Sequence, residues 1–349
     1  MLSSASTLAG DISGAANSLN QQSAALNQDV QSVSGQVNSL TSSIAQLNLE
    51  IQSTSPNEDA GTLEDQRQQD LSQLSQLIGV NQVTTENNGL AITTTSGQLL
   101  VSEGQSFQLT TGTVNGATDF FLGGTNITAQ LASGGGQLGG YLTARDQDIP
   151  TALSSLDALA YNISVAVNND NNAGVDASGN TGAPVASSTN GARTLDIFSP
   201  PPTYAANLAS GNTDYSGAAA AMSAVMTDPS EIAAASAGNG TGDNSNATVL
   251  ADLANQTIVN GQSPINYYSN FVSTLGSTVN EVQAENTAQS ASVTQLQTQN
   301  NVLSSVNLND EAAMMSKLET SYQAASQVFT LLNTIMASAL NLGEQTTVA

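Results

Sequence analysis

Residues 19–51 read LNQQSAALNQDVQSVSGQVNSLTSSIAQLNLEI, and in them Leu19, Leu26, Val30, Val33, Val37, Leu40, Ile44, Leu47 and Ile51 follow one another at steps of 7, 4, 3, 4, 3, 4, 3 and 4 residues. Alternating steps of three and four hold one apolar seam on a helix. The residues between are almost all Ser, Gln, Asn and Thr, so the spacing predicts one long helix over about 11–53 with an uncharged polar back. Ser55-Pro56-Asn57 ends it, because the residue before a proline avoids the helical region. A second helix is expected over about 60–78, carrying Leu63, Arg67, Leu71, Leu74 and Leu77 and folding back on the first.

The other end of the chain has the same grammar. Met315, Leu318, Tyr322, Ala325, Phe329, Leu332, Met336 and Ala339 alternate 3 and 4 apart, and Val328, Leu331, Ile335 and Leu342 widen the stripe. So wide a stripe asks for more than one neighbour. Asp310 and Glu311 stand where its first turn would begin and would complement the helix dipole. Between Tyr267 and Leu303 a further helix is expected, with Phe271, Leu275, Val279 and Val282 on its apolar face. Packing within one chain is the ordinary use of such seams, and it is expected for the first and middle helices. The terminal stripe lacks a visible cover and is assigned to contacts between subunits, through Met315, Leu318, Tyr322, Ala325, Phe329, Leu332 and Met336.

The middle of the chain changes period. Val80, Val83, Leu90, Ile92, Leu99, Val101, Phe107 and Leu109 lie in short Thr-rich segments bounded by Asn88-Gly89, Ser96-Gly97, Glu103-Gly104 and Thr111-Gly112, which reads as a β-meander. Phe120-Phe121-Leu122 and Ile127 add a strand pair, and Gly134 to Gly140 reads as a flexible entry to a helix over about 142–168, bent or delayed by Pro150. The stretch NNDNNAGVDASGNTGAP after it contains Asp170, Asn172 and Asp176, but a calcium loop fails for want of Gly at 175 and Glu at 181. It reads as a solvated hairpin loop. Leu195, Ile197 and Phe198 suggest a strand, Gly238 to Gly242 a flexible linker, and Asp243, Asn244 or Ser245 a cap for the helix of Val249, Leu250 and Leu253. The fold class is therefore α+β: a long helical bundle or coiled coil from both chain ends with a β-rich insert. The division is 1–79 for N-terminal helices, 80–140 for the β-rich insert, 141–168 for a returning helix, 169–240 for a loop and β-rich segment, and 241–349 for C-terminal helices.

Composition excludes whole classes of function. The 349 residues carry 28 Asp and Glu but only 4 Lys and Arg, a formal net charge of -24. Acid is below the roughly 12% of an average chain, so the imbalance is a depletion of base. Arg67, Arg145, Arg193 and Lys317 cannot neutralise a run of phosphates, so neither nucleic acid nor anionic membrane is expected as a partner. His and Cys are absent, which removes Cys/His zinc sites, disulfides, thiol nucleophiles and hydrolases with a His base. Acidic pairs such as Glu64 with Asp65, or Asp146 with Asp148, read as solvated helix faces. No catalytic, cofactor-binding or metal-ligating residue is assigned. The N-terminus MLSSASTLAGDISGAANS shows no basic region followed by an apolar one, so export, if any, is expected without a cleavable signal peptide.

Specific strings then carry a resemblance. Arg145-Asp146, Ile149-Pro150, Leu153-x-x-Leu156-Asp157-x-Leu159-Ala160, Val167-Asn168 and Gly174-x-Asp176-x-x-Gly179 resemble the central segment of the flagellar hook-associated proteins that form the first junction between hook and filament. Thr227-Asp228-Pro229-Ser230-x-Ile232-Ala233-Ala234-Ala235 and Gly242-Asp243-Asn244-Ser245-Asn246-Ala247 match that family's next stretch, and Val306 to Glu311, Tyr322 to Ala325 and Leu340 to Leu342 its terminal helix. Two family strings, Asn-Ile-Ala-Asn and Thr-Pro-Gly-Tyr, are missing at the start, so the chain looks truncated at its N-terminus. The resemblance implies an extracellular structural subunit of the bacterial flagellum, needed for filament assembly and acting in motility. Its implied partners are copies of itself in a junction ring, hook protein, the second junction protein and an export chaperone at the C-terminal helix. A related flagellin-like axial protein shares the helical ends, but the Gly242–Ala247 string argues against it. A secreted adhesin or binding module on a coiled-coil stalk would instead place its working part in the β-rich segment.

Overall fold

The computed structural model describes residues 1–54, 60–182, 194–211, 213–240, 242–304, 314–323, 326–327 and 330. The chain divides into two units, Met1–Leu275 and Gly276–Ala349. The first unit is built along one helix, α1 (Leu2–Thr54), which starts nine residues before the expected boundary at 11. Ala9, Ile12, Ala16 and Leu19 continue the steps of three and four toward the N-terminus, with alanines in place of large residues. Helix α2 (Gly61–Leu77) packs antiparallel to the far half of α1, since Ser43 bonds Asp70 at 2.6 Å while Asn48 bonds Arg67 at 2.9 Å.

Two antiparallel sheets lie beside this pair. Strands β1 (Val80–Thr84), β2 (Leu90–Thr94), β3 (Leu99–Ser102) and β4 (Gln105–Ser106) form one meander in that order. Strands β5 (Leu109–Val114), β6 (Ala117–Leu122) and β7 (Thr125–Asn126) form the second. Thr111-Gly112, expected as a turn, lies inside β5; the turn is Asn115-Gly116, with φ of 50° and 83°. Two successive positive φ values twist a hairpin in the hand its strands need, and Asn followed by Gly tolerates both.

The glycine run after β7 is ordered into two helices, α3 (Thr128–Ser133) and α4 (Gly136–Thr143). Gly79 shows why one glycine is required, since a Cβ there would collide with the Gly134 carbonyl oxygen. A π-helical turn over Ala144–Asp148 joins α4 to α5 (Ile149–Ala173), so Pro150 sits in the first turn of α5 and no break occurs. The first unit also contains β8 (Gly174–Val175), α6 (Tyr204–Ser210), α7 (Ala218–Ala221), β9 (Ala235–Ser236), which pairs with β8, and α8 (Ser245–Asp252). Helix α9 (Pro264–Ser304) begins in the first unit and continues into the second.

The seam of α1 serves two cores, and its cover is mixed. Val30, Val33, Val37 and Ile44 are buried with Leu74 of α2, Ile92 and Val101 of the first sheet, Phe120 of the second, and Leu138 and Leu142 of α4. Nearer the N-terminus Ala9, Ile12 and Ala16 meet Leu156, Leu159 and Ala160 of α5, Ala218 and Ala219 of α7, and the extended segment Leu195–Phe198. Burial of each such aliphatic side chain contributes about 1.5–3 kcal/mol. The fold is thus α+β with long helices and a β insert, although strands, rather than another helix alone, cover much of the heptad seam.

Several local expectations are revised by the polar residues. The stretch after α5 divides: Asn168, Asn171 and Asn172 end the helix, which runs to Ala173, and are buried with Asp176, whereas residues 177–181 are exposed in the hairpin turn closed by the Val175–Thr181 bridge. Leu195, Ile197 and Phe198 do not form a ladder strand; they lie extended, with an isolated bridge from Phe198 to Ala224. The Gly238–Gly242 segment is not a free linker, because Asp243 Oδ2 accepts from the Ser236 N–H at 2.9 Å and from the Ser245 hydroxyl. Asn244 stands at the N-cap of α8 without a side-chain cap bond, and the Asp243 carboxylate instead holds Ser245, the first residue of the helix.

Candidate functional site

Asparagine side chains join these elements. Asn38 Nδ2 donates to the Leu109 carbonyl and its Oδ1 accepts from the Leu109 N–H, both at 2.8 Å. Asn48 does the same for Leu90 at 2.7 and 3.2 Å, and its amide also reaches the Glu103 carbonyl at 2.8 Å. At the end of α5, Asn168 holds the N–H groups of Ile197 and Phe198 and the Phe198 carbonyl; Asn171 bridges Leu195 and Ala233, and Asn172 holds the Leu195 N–H. A primary amide carries donor and acceptor side by side, so it can replace a strand neighbour for one residue. The "polar back" of α1 is partly this clamp, and Asn48 is fully buried.

The charged members of the family-like strings are used in the same way. Arg145, in the π-turn, donates to the Thr118 carbonyl at 2.8 Å, to Asn27 Oδ1 at 3.1 Å and to both oxygens of Asp146 at 2.6 and 2.9 Å. Asp157, buried in α5, accepts from the N–H groups of Gly217 and Ala219 at 3.0 and 2.7 Å at the start of α7. Asn246 Nδ2 donates to the carbonyls of Asp170 and Ala233. Hydrogen bonds from Ser245 and from the Ser236 N–H hold the Asp243 carboxyl down at about 2, and Ser230 lowers Asp228. Burial pushes the Asp170 and Asp196 carboxyls up, for Asp196 against hydrogen bonds from Asn172 and Thr194. Asp176, one of the residues weighed as a calcium ligand, accepts from the Ser178 and Asn180 N–H groups at 2.9 and 2.8 Å. Glu64 accepts from Asn88 Nδ2 at 2.6 Å. These groups serve the backbone, and among the described residues no cluster of three or more acidic side chains is placed to hold a metal ion.

One candidate binding surface among the described residues is apolar. Between the start of α1, the middle of α5 and the first turns of α9 lies a groove of about 730 Å³. Its floor is Leu156 and Leu159; its walls include Leu8 and Leu19 of α1 and Ile265, Tyr268 and Leu275 of α9. Asp11 is its one charged lining residue. Ile265 is 60% exposed, Tyr268 52% and Leu275 46%, so large side chains stand uncovered over a packed floor. Sequence reading places Leu275 on an apolar face but misses the α1 wall, where the usable signal is the continued spacing Ala9, Ile12, Ala16, Leu19.

The second unit carries the stripe expected for subunit contacts. Along α9, Val279, Val282 and Val293 are exposed, so the face expected to pack within the chain is uncovered there. Residues 314–323 are helical, and Met315, Leu318 and Tyr322 are exposed on that helix. Ala325, Phe329, Leu332 and Met336, the remainder of the assigned interface, lie outside the described residues. Among the described residues no helix is long and apolar enough to cross a membrane.

Comparison with known proteins converges on one group. A family model for the flagellar hook-associated protein FlgK helical domain matches residues 1–185. Flagellar hook-associated protein 1 of Salmonella typhimurium is 26% identical over 364 aligned residues, which cover 82% of this chain and 65% of that protein. The protein of the same name from Escherichia coli K12 is 27% identical, with 82% of this chain and 64% of the relative covered. The chain thus spans somewhat under two thirds of the length of these relatives. Among solved structures, the flagellar hook junction protein FlgK from Burkholderia pseudomallei is similar at 33% identity and a TM-score of 0.46, over 57% of this chain and 35% of that one.

Proposed function

This chain belongs to the family of the flagellar hook-associated protein FlgK, whose helical domain it carries over residues 1–185, and from that premise we propose that it is a structural subunit of the bacterial flagellum that joins hook to filament. Its work is association through apolar helix faces, with no chemistry on a substrate. The observation that carries this reading is the uncovered apolar surface: the groove over Leu156 and Leu159, and the exposed stripe through Val279, Val282, Met315, Leu318 and Tyr322. Apolar side chains at helical spacing are what a protein leaves open when another chain completes its packing.

The partners under this proposal are further copies of the chain in a junction ring, hook protein on one side and the second junction protein on the other. An export chaperone that shields the C-terminal stripe before assembly fits the same chemistry. The site of action is extracellular, after export. The test is complementation. Full-length protein carrying Phe329→Asp with Leu332→Asp should be made and exported but should fail to support filament growth in a strain lacking its own junction protein. Normal filaments from that double variant would remove the seam from the mechanism.

A further inference from the structure

The groove between α1, α5 and α9 lies wholly within the first unit, and its walls are helix stripes. On α1 the lining passes through Leu8, Asp11, Ala15, Ser18 and Gln22 at steps of 3, 4, 3 and 4. From Leu8 to Gln22 the helix extends about 21 Å. On α9 the lining runs from Pro264 to Leu275 at the same steps. Two such stripes over a floor of Leu156 and Leu159 offer a third helix grooves for its own ridges. A small ligand is ordinarily enclosed by its pocket. Here Ile265, Tyr268 and Leu275 stand open along the length of one wall, which is the form of a helix-in-groove site.

Charge tells which helix fits. Asp11 is exposed on the α1 wall and, among the described residues, makes no ion pair. Neither wall supplies a counter-charge: Asp11 is the only Asp, Glu, Lys or Arg in residues 1–28, and residues 253–280 contain none. A base brought by a partner would meet Asp11 without a competitor. The chain as a whole, at -24, draws in a basic partner and repels an acidic one. Its own exposed helix faces fit poorly, since the face through Val279 and Val282 is flanked by Glu281 and Glu285 with no base, and residues 314–323 set Lys317 against Glu319. We propose that the groove seats an amphipathic helix of a protein other than this one, with apolar residues at i, i+3 or i+4 and i+7 and a Lys or Arg at the edge of that face over Asp11. The inference rests on the reading of the groove as a surface that another chain completes, and it names the chemistry of that chain.

The test uses the full-length chain and a fluorescent helical peptide of about 16 residues, uncharged on its outer face, with leucines at i, i+4, i+7 and i+11 and one lysine flanking them. In about 0.15 M sodium chloride, where charges beyond about 8 Å are screened, this peptide should bind saturably and about fourfold more tightly than one with glutamine in place of the lysine. Asp11→Asn should bring the lysine peptide to the level of the glutamine peptide. Ile265→Ser with Tyr268→Ser, both at exposed positions, should weaken both peptides about tenfold with unchanged far-UV circular dichroism and unchanged self-association. A preference for lysine that is missing, or that survives Asp11→Asn, would overturn the chemistry of the partner. Equal binding by a scrambled peptide with its leucines off one face would overturn the helix, and no binding by any peptide would overturn the seat itself. Self-association weakened by the Ile265→Ser, Tyr268→Ser pair would make a second copy the occupant. None of these results involves flagella, so each leaves the flagellar reading standing; that reading of the groove falls instead if the same pair, having lost peptide binding, still supports normal filaments.

Discussion

At the scale of single residues, stability hangs on side-chain amides placed where backbone needs a partner. Asn48 is the clearest case: fully buried, it satisfies the N–H and C=O of Leu90 and the C=O of Glu103, and accepts from Arg67. Asn48→Asp keeps the shape but replaces the donor with an acceptor aimed at two carbonyls. A buried group left unpaired costs about 1–3 kcal/mol, so the variant should lose about 3 kcal/mol, read as a lower urea midpoint with unchanged slope. The matching control is Gln46→Glu on the exposed side of the same helix, which adds the same charge and should change the midpoint little. Little of this was legible beforehand. Periodicity separates apolar from polar faces, and Asn20, which is exposed, looks the same in a string as Asn38 or Asn48, which grip a strand. What distinguishes them is a neighbour far away in sequence, as the 42-residue separation of Asn48 and Leu90 illustrates.

At the scale of elements, the sequence predicted types better than junctions. The seam from Leu19 to Ile51 marks α1 because nine apolar residues repeat at heptad steps, and the alternation in Leu90-Ala91-Ile92 marks β2 because its burial alternates too. Junctions failed where a local rule met a distant partner. Thr111-Gly112 looks like a turn, yet pairing with Phe120 and Asp119 keeps it extended; Pro150, expected to bend or delay its helix, stands in the first turn of α5 just after the π-turn. That π-turn also aims Arg145 inward, where its guanidinium ties α4 and α5 to β6 and α1. Arg145→Lys keeps the charge but loses the planar fork that reaches Thr118, Asn27 and Asp146 together. Because Asp146 is 39% exposed, the ion pair itself counts for little and the loss is mainly of buried hydrogen bonds to Thr118 and Asn27. We expect a cost of about 2 kcal/mol, with Arg145→Met no better, measured by denaturant unfolding of the full chain. The candidate surface was legible only in part: the spacing of Met315, Leu318 and Tyr322, which stand exposed, is visible in the string, whereas the groove needed α1, α5 and α9 to be brought together.

At the scale of the whole molecule, the charge sets how association would be controlled under the proposed role. With 28 acidic and 4 basic residues, copies cannot recognise one another by ion pairs across an interface. Specificity must then come from apolar register, as along Val279 and Val282. The same charge sets a barrier to meeting at all, because like-charged chains repel until salt screens them. Screening between about 0.01 and 0.1 M salt shortens the Debye length from about 30 to about 10 Å. Self-association measured by sedimentation velocity should therefore strengthen over this range of sodium chloride. Sodium chloride is the right salt, since sulfate would also strengthen apolar burial and blur the cause. Neutralising acids far along α1 and on α2, away from the groove at the start of α1, for example Glu50→Gln with Asp65→Asn, should move the onset to lower salt without changing the plateau at high salt. Association as strong at about 0.01 M as at about 0.1 M would mean that repulsion does not gate assembly. In that event apolar contact alone would have to hold copies apart until a growing end receives them, which it cannot do, because an uncovered apolar face attracts at every concentration of salt.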